Sequence, residues 1–193
     1  MTSPWKVPPM WQGQTVAVLA SGPSMSPSLA QSLRSLPVAV ANSTYRLAPW
    51  AELLCANDAE WWWANPEALD FRGLKVCADD SLLRPEVFSL RHTGKVGFDE
   101  DPACVRSGGN TGYTAVHIAA QAGARRILLC GFDMRPGHWH DVDREAAESQ
   151  YAEWRRRFKT LAAALEGRVE VLNCTPGSAL ECFPMMTLEK AIA

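Results

Sequence analysis

Short apolar runs, each ending in a small polar loop, constrain this chain more than any other feature. Thr15–Ala20, Val38–Ala41, Leu53–Ala56, Leu74–Cys77, Ile127–Cys130 and Val169–Leu172 are apolar at most successive positions. A strand with one wet face alternates, whereas a strand covered on both faces does not, so these runs predict a parallel sheet buried between helices. Helices are expected over Ser26–Ser35, Asp58–Asn65, Gly109–Ala122 and Asp143–Leu165. In the last of these, Tyr151, Trp154, Phe158, Leu161 and Leu165 recur at three- or four-residue spacing, and Gly167 is placed to end it. Alternating β and α segments of these lengths predict an α/β chain: a single Rossmann-like, doubly wound domain with a mostly parallel sheet and right-handed crossovers.

The 193 residues suit one domain, since domains run to roughly 100–200 residues. With 47% of them hydrophobic there is side chain enough for one core. The expected organisation is one nucleotide-binding domain over residues 1–193. Residues 1–14 form an N-terminal extension, and residues 82–106, broken by Pro85, Gly94, Gly97 and Pro102, form a cap or loop excursion. A net charge of −2 argues against general affinity for duplex nucleic acid or anionic membrane, because there is no basic excess to displace counterions. Arg125-Arg126 and Arg155-Arg156-Arg157 read as solvated helix ends and faces. The cysteines Cys55, Cys77, Cys104, Cys130, Cys174 and Cys182 form no C-x-x-C pair and mostly end apolar runs, which predicts reduced core thiols and a cytoplasmic location. Met1–Lys6 is too polar and proline-rich for a signal peptide, and no apolar run approaches the ~18 residues of a membrane span.

In open parallel sheets, ligands bind outside the carboxyl ends of the strands. Here those ends read Ser21-Gly22-Pro23-Ser24, Asn42-Ser43-Thr44, Asn57-Asp58, Asp79-Asp80, Gly131-Phe132-Asp133 and Asn173-Cys174-Thr175. Small polar residues also serve turns and helix caps in any protein, so the set as a whole carries the functional reading better than any one member. In the first loop Gly22 permits close approach of a ligand and Ser21 and Ser24 offer hydroxyls. The helix behind it is expected to aim free N–H groups at an anion. The loop lacks the lysine of a Walker motif and the paired glycines of a dinucleotide fingerprint. A second glycine-rich stretch, Ser107–Gly112, is expected to bring Asn110, Thr111 and Gly112 to the same ligand. Gly137-His138-Trp139-His140-Asp141 follows Asp133 and Arg135 on that edge, and its histidines read as a general base ahead of a metal site. Of Trp61-Trp62-Trp63, three adjacent helical residues cannot share a face, so one should be buried and another exposed.

Taken in order, A-S-G-P-S, A-N-S, N-T-G-Y, G-A-R-R-I-L-L-C-G-F-D-M and N-C-T-P-G-S-A-L resemble a superfamily shared by two enzyme families. These are the bacterial sialyltransferases of glycosyltransferase family 42 and the archaeal 6-hydroxymethylpterin pyrophosphokinase-like proteins. Uncharacterised phage and prophage proteins look most similar, which would imply a bacterial host cytoplasm. The resemblance implies that the first loop and Asn42 hold a donor nucleotide, with Ser21 standing where the sialyltransferases carry asparagine. It aligns Asn110-Thr111-Gly112 with a T-S-G loop, Gly131-Phe132-Asp133 with a G-I-D motif, and the segment from Thr175 to Leu180 with a C-P-N-S-L segment. Arg135 replaces a tyrosine that steadies the leaving phosphate and offers a bidentate fork in its place.

The function expected is therefore a nucleotide-dependent transferase, most like a small glycosyltransferase using a nucleotide or nucleotide-sugar donor. Ser21, Gly22, Pro23, Ser24, Asn42, Asn57, Asp58, Asn110, Thr111, Gly112, Gly131, Phe132 and Thr175 would bind nucleotide and phosphate. Asp133, Arg135 and His138 or His140 would carry the chemistry. The alternatives are a Mg²⁺-dependent pyrophosphokinase acting on a hydroxymethyl compound, with Asp133, Asp58 or Asp79 as metal ligands, and a phage protein that binds a nucleotide without catalysis. The expected partner is a small nucleotide ligand, with the acceptor open and a homo-oligomer compatible with the residues.

Overall fold

The computed structural model describes residues 5–141 and 147–192. Its elements in chain order are β1 (Thr15–Leu19), α1 (Pro27–Ser32), β2 (Val38–Ala41), β3 (Leu53–Ala56), α2 (Ala59–Ala64), β4 (Leu74–Cys77), β5 (Phe88–Ser89), β6 (Arg91–Gly94), β7 (Cys104–Arg106), α3 (Thr111–Gln121), β8 (Arg126–Cys130), α4 (Glu148–Leu165), β9 (Glu170–Asn173) and α5 (Leu188–Ile192). Every apolar run of the sequence is a strand. The helix expected from Asp143 starts at Glu148, and residues 143–146 of that expectation lie outside the described residues.

Seven strands form one sheet in the order β5-β4-β3-β2-β1-β8-β9, with every pairing parallel. The chain steps outward from β1 to β5, then crosses back through α3 to lay β8 on the other flank of β1. The strand order thus reverses between β1 and β8, whose residues pair from Thr15↔Arg126 to Leu19↔Cys130. Val16 and Val18 face a core shared with Tyr113 and Val116 of α3 and Phe158 and Leu161 of α4. Ala17 and Leu19 face a second core with Ala30 of α1 and Trp62 of α2. Helices on both faces explain why the strands carry no polar side, and each fully buried Val, Leu or Phe contributes about 1.5–3 kcal/mol.

The N-terminal extension packs on the sheet rather than standing off it. Trp11 is fully buried, its N–H bonds Ala122 O, and its indole Nε1 donates to Glu52 at 2.5 Å. Within residues 82–106, β5 adds a short parallel edge strand beside β4, and Trp5 stacks on Phe88 with ring centroids 4.7 Å apart. β6 and β7 form a separate parallel pair. The tryptophan triplet divides by helical phase: Trp62 is buried and donates to Ala56 O, while Trp63 is exposed beneath the Arg84 guanidinium. The six cysteines are unbridged, and only Cys182 is more than marginally accessible. No helix among the described residues is long and apolar enough to cross a membrane.

His117 in α3 is fully buried, stacked on Phe98, with Nε2 within 3.2 Å of Asp99 O. Burial holds its imidazole neutral and depresses its pKa from the ordinary 6.5 to about 4. The unfolded chain takes up this proton near pH 6.5 and the native chain does not, so stability falls as pH drops from 6.5 towards 4. Each tenfold difference in proton affinity is worth about 1.4 kcal/mol, which makes the full effect about 3 kcal/mol. Urea unfolding of the wild type and His117→Leu across this window should show the wild type losing stability more steeply. Parallel pH profiles would refute the assignment.

Candidate functional site

The switch point between β1 and β8 opens a crevice at their carboxyl ends, where ligands of such sheets bind. Two backbone bonds prolong the pairing past the strands: Ala20 N–H to Cys130 O and Gly22 N–H to Gly131 O, each 2.9 Å. Asp133 then clasps the first loop. Its Oδ2 accepts from Ser24 Oγ at 2.8 Å and from Ser24 N–H at 3.4 Å. Gly22 is required by this approach, because a Cβ there would collide with the Asp133 carboxylate and with Gly131 O. Ser21 Oγ lies 2.9 Å from Thr44 Oγ1 and donates to Ala41 O, so its hydroxyl ties the first loop to the second strand. Asn42, which opens the 3-10 turn Asn42–Arg46, holds a left-handed φ of 49°, a conformation Asn tolerates better than most residues.

Facing this wall is the second glycine-rich loop. Gly108 and Gly109 turn with φ of 60° and 66°, and Arg157 Nη1 donates to Gly108 O at 2.9 Å. Asn110 caps α3, accepting from Tyr113 N–H, and Thr111 and Gly112 form the first turn. The helix therefore presents its N-terminus to the crevice, where free N–H groups and the helix dipole favour an anion. The sequence expects this role of the helix after Ser107–Gly112 and also of the helix after the first loop. That helix, α1, spans only Pro27–Ser32, is capped by Ser26, and starts beyond the turn that Asp133 clamps.

The resulting cleft has a volume of about 520 Å³ and is lined by Ser21, Gly22, Asn42, Asp58, Gly109, Asn110, Thr111, Gly112, Gly131 and His138 from the expected edge. Met134, Gln150, Tyr151 and Trp154 complete it. The His138 loop folds back on itself through His138 N–H to Asp141 O. Trp139 pins that loop to the first wall, its backbone N–H bonding Ser21 O and its Nε1 donating to Thr44 Oγ1. His138 thereby faces the cleft, while His140 is exposed outside its lining.

Other expected site residues stand elsewhere. Phe132 is fully buried and its N–H donates to the Oγ1 of Thr175, itself 1% exposed, so both frame the Gly131–Asp133 turn from behind. Pro23 is exposed outside the cleft, and Ser24 is spent on Asp133. Arg135 lines a neighbouring depression with Arg155 and Lys159. Asn57 and Asp79 line a further depression that adjoins the cleft at Asp58. Burial first, then the Asp79 carboxylate, raises the Asp58 pKa from its ordinary value. Among the described residues, no three carboxylate, histidine or cysteine side chains converge as a metal cage. Magnesium commonly needs only one or two carboxylates besides a substrate's phosphates, and Asp58 and Asp79 are placed to supply them.

Gln150, Tyr151 and Trp154 are hidden in the sequence because the apolar stripe of α4 reads as core. A crossover helix leaves the sheet from the carboxyl edge, so its first turns stand beside the ligand. That position is the signal the sequence offers for them.

The clasp makes a direct prediction. Gly22→Ala forces Asp133 away from Ser24 and should cost about 1–3 kcal/mol of stability by overpacking. Asp133→Asn weakens the same clasp without the collision. Denaturant unfolding in which Gly22→Ala equals the wild type would remove the clasp from the account.

No protein-family profile matches the chain, and the curated proteins include none similar to it in sequence. A solved structure, that of the MAf glycosyltransferase from Magnetospirillum magneticum AMB-1, superposes with a TM-score of 0.67 at 12% identity. The match covers 95% of this chain and 35% of the other, so the chain spans about a third of that protein's length. The likeness is one of fold.

Proposed function

We propose that this chain is a nucleotide-dependent transferase that moves a sugar from a nucleotide-sugar donor to a hydroxyl. The supporting observation is the cleft at the switch point, where the α3 N-terminus, Asn42, Asn110 and His138 meet. The fold shared with a glycosyltransferase, and the resemblance of the loops to sialyltransferase motifs, support the same reading. In it, the donor phosphate lies against the first turn of α3 and Gly22, where N–H groups and small residues allow close approach. Asn42 and the Tyr151–Trp154 pair hold the nucleoside.

His138 is the base. As the acceptor oxygen's electron pair forms the new bond to the donor sugar's anomeric carbon, the hydroxyl proton passes to the imidazole. The bond from that carbon to phosphate oxygen breaks, and its electrons leave with the nucleotide. Arg135 lines the depression alongside rather than the cleft, so the leaving phosphate is not assigned to it. The carboxylates of Asp58 and Asp79 favour a second reading, in which Mg²⁺ and ATP serve a pyrophosphokinase.

A thermal-shift screen over CMP-, UDP- and GDP-sugars and ATP, with Mg²⁺ or chelator, separates these readings. A sugar nucleotide at 100-fold over its Kd should add about 2.7 kcal/mol of stability. Stabilisation by ATP alone, strictly with Mg²⁺, would replace the first reading with the second. Against the identified donor, His138→Ala should lower turnover by about 10²–10⁴-fold while donor binding persists, and His140→Ala should not. Full turnover in His138→Ala would remove the base.

A further inference from the structure

A second depression of about 470 Å³ adjoins the cleft and shares Asp58, Gly109 and Thr111 with it. It lies beyond the carboxyl ends of β3 and β4 and is bordered by His92 of β6 and by Lys95 and Ser107, which directly follow β6 and β7. Its volume is within the range of small-molecule sites, roughly 300–1,000 Å³. Two cavities meeting along one rim are the arrangement a transferase needs, because donor and acceptor must present their reacting atoms to each other across a short gap.

The lining says what kind of molecule fits. Asp58, Asp79 and Asp80 offer carboxylate oxygens, which only accept hydrogen bonds, and a carboxylate can take two neighbouring hydroxyls at once. One Asp79 oxygen is occupied by Ser81 N–H, which orients the group. Asn57 also lines the depression, with its Oδ1 buried beneath the surface. Lys95 supplies donors, and Ser107 Oγ lies 2.9 Å from His92 Nε2, which holds that ring in place. Three carboxylates against one lysine ammonium repel an anion. The lining is thus rich in acceptors and poor in positive charge.

Resting on the transferase reading above, we infer that this depression is the acceptor subsite and that it takes a polyhydroxylated molecule, a sugar or polyol, without phosphate or carboxylate. The acceptor's hydroxyls bond Asp79, Asp58 and Asp80. One hydroxyl reaches over the shared rim at Gly109 and Thr111 into the cleft. Its proton leaves to His138, its oxygen bonds the donor's anomeric carbon, and the nucleotide departs with the electrons of the broken carbon–oxygen bond.

The test uses the full chain and the donor found by thermal shift. Product formation and nucleotide release are followed with neutral sugars and polyols, the corresponding sugar phosphates, and a serine-containing peptide. Neutral polyols should be accepted at least tenfold better than their phosphates, as kcat/KM. Asp79→Asn and Lys95→Ala, which alter residues outside the donor cleft, should raise the acceptor KM by about tenfold with a smaller effect on kcat. The donor-induced rise in melting temperature checks that each variant is folded. If the donor is bound and cleaved but phosphates or the peptide are preferred, or neither variant changes the acceptor KM, the acceptor subsite is overturned while the transferase reading stands. If no sugar nucleotide binds, the transferase reading falls, and the subsite with it.

Discussion

The carboxylate of Asp133, closing on Ser24 across the switch point, is the contact on which the site depends. Beyond Leu19 and Cys130 the two strands have no further sheet to hold them together. Backbone bonds carry the pairing as far as Gly22 and Gly131, and Asp133 then captures the next residues of the opposing loop. A hydrogen bond to an ionised acceptor is worth about 1.5–3 kcal/mol, more than a neutral one. The clasp fixes the Ser21 carbonyl, which receives Trp139 N–H, and so sets where His138 stands. One carboxylate thus orders both the ligand-facing backbone and the loop bearing the titratable group. The sequence expects Asp133 as a metal ligand or catalyst, and in the fold its Oδ2 accepts from Ser24.

The other half of the cleft is built by helices that begin at the same edge. In a parallel sheet each crossover leaves from the carboxyl ends, so α3 and α4 both start beside the cleft. Arg157 of α4 reaches to Gly108 O and to Glu153, joining the glycine loop before α3 to the body of α4. Tyr151 and Trp154, one turn nearer the start of α4, then stand over the cleft with their rings 5.1 Å apart. The apolar stripe that buries Phe158 and Leu161 extends upward into a binding wall without any change of period.

What was legible in the sequence follows from this geometry. Runs such as Val16–Leu19 and Val38–Ala41 announced two-sided burial, and two-sided burial in turn announced a parallel sheet with ligands at one edge. Asn42, Asn110–Gly112 and Gly131 could be placed there from the chain alone, because each follows a strand or opens a helix. Residues whose role depends on the path of a loop could not. Arg135 and His138 are only three positions apart, yet the turn at Pro136-Gly137 sends one into a side depression and the other into the cleft. The two-residue strand β5 was equally invisible, since so short a run has no period to read, and it exists through pairing with β4 and cover from Trp5.

The motif residues therefore divide into two classes that a string of letters cannot separate. Ser24, Phe132, Asp133 and Thr175 spend their polar groups on one another's loops, and Ser21 spends its hydroxyl on Thr44 and Ala41. Asn42, Asn110, Thr111, Gly112 and His138 remain at the cleft surface. The serine at position 21 takes its meaning from this division. The serine hydroxyl is satisfied by Ala41 O and Thr44, so the first loop presents mainly backbone to the cleft. The rest of the cleft surface is made by the left-handed Asn42, the first turn of α3 and the aromatic pair of α4.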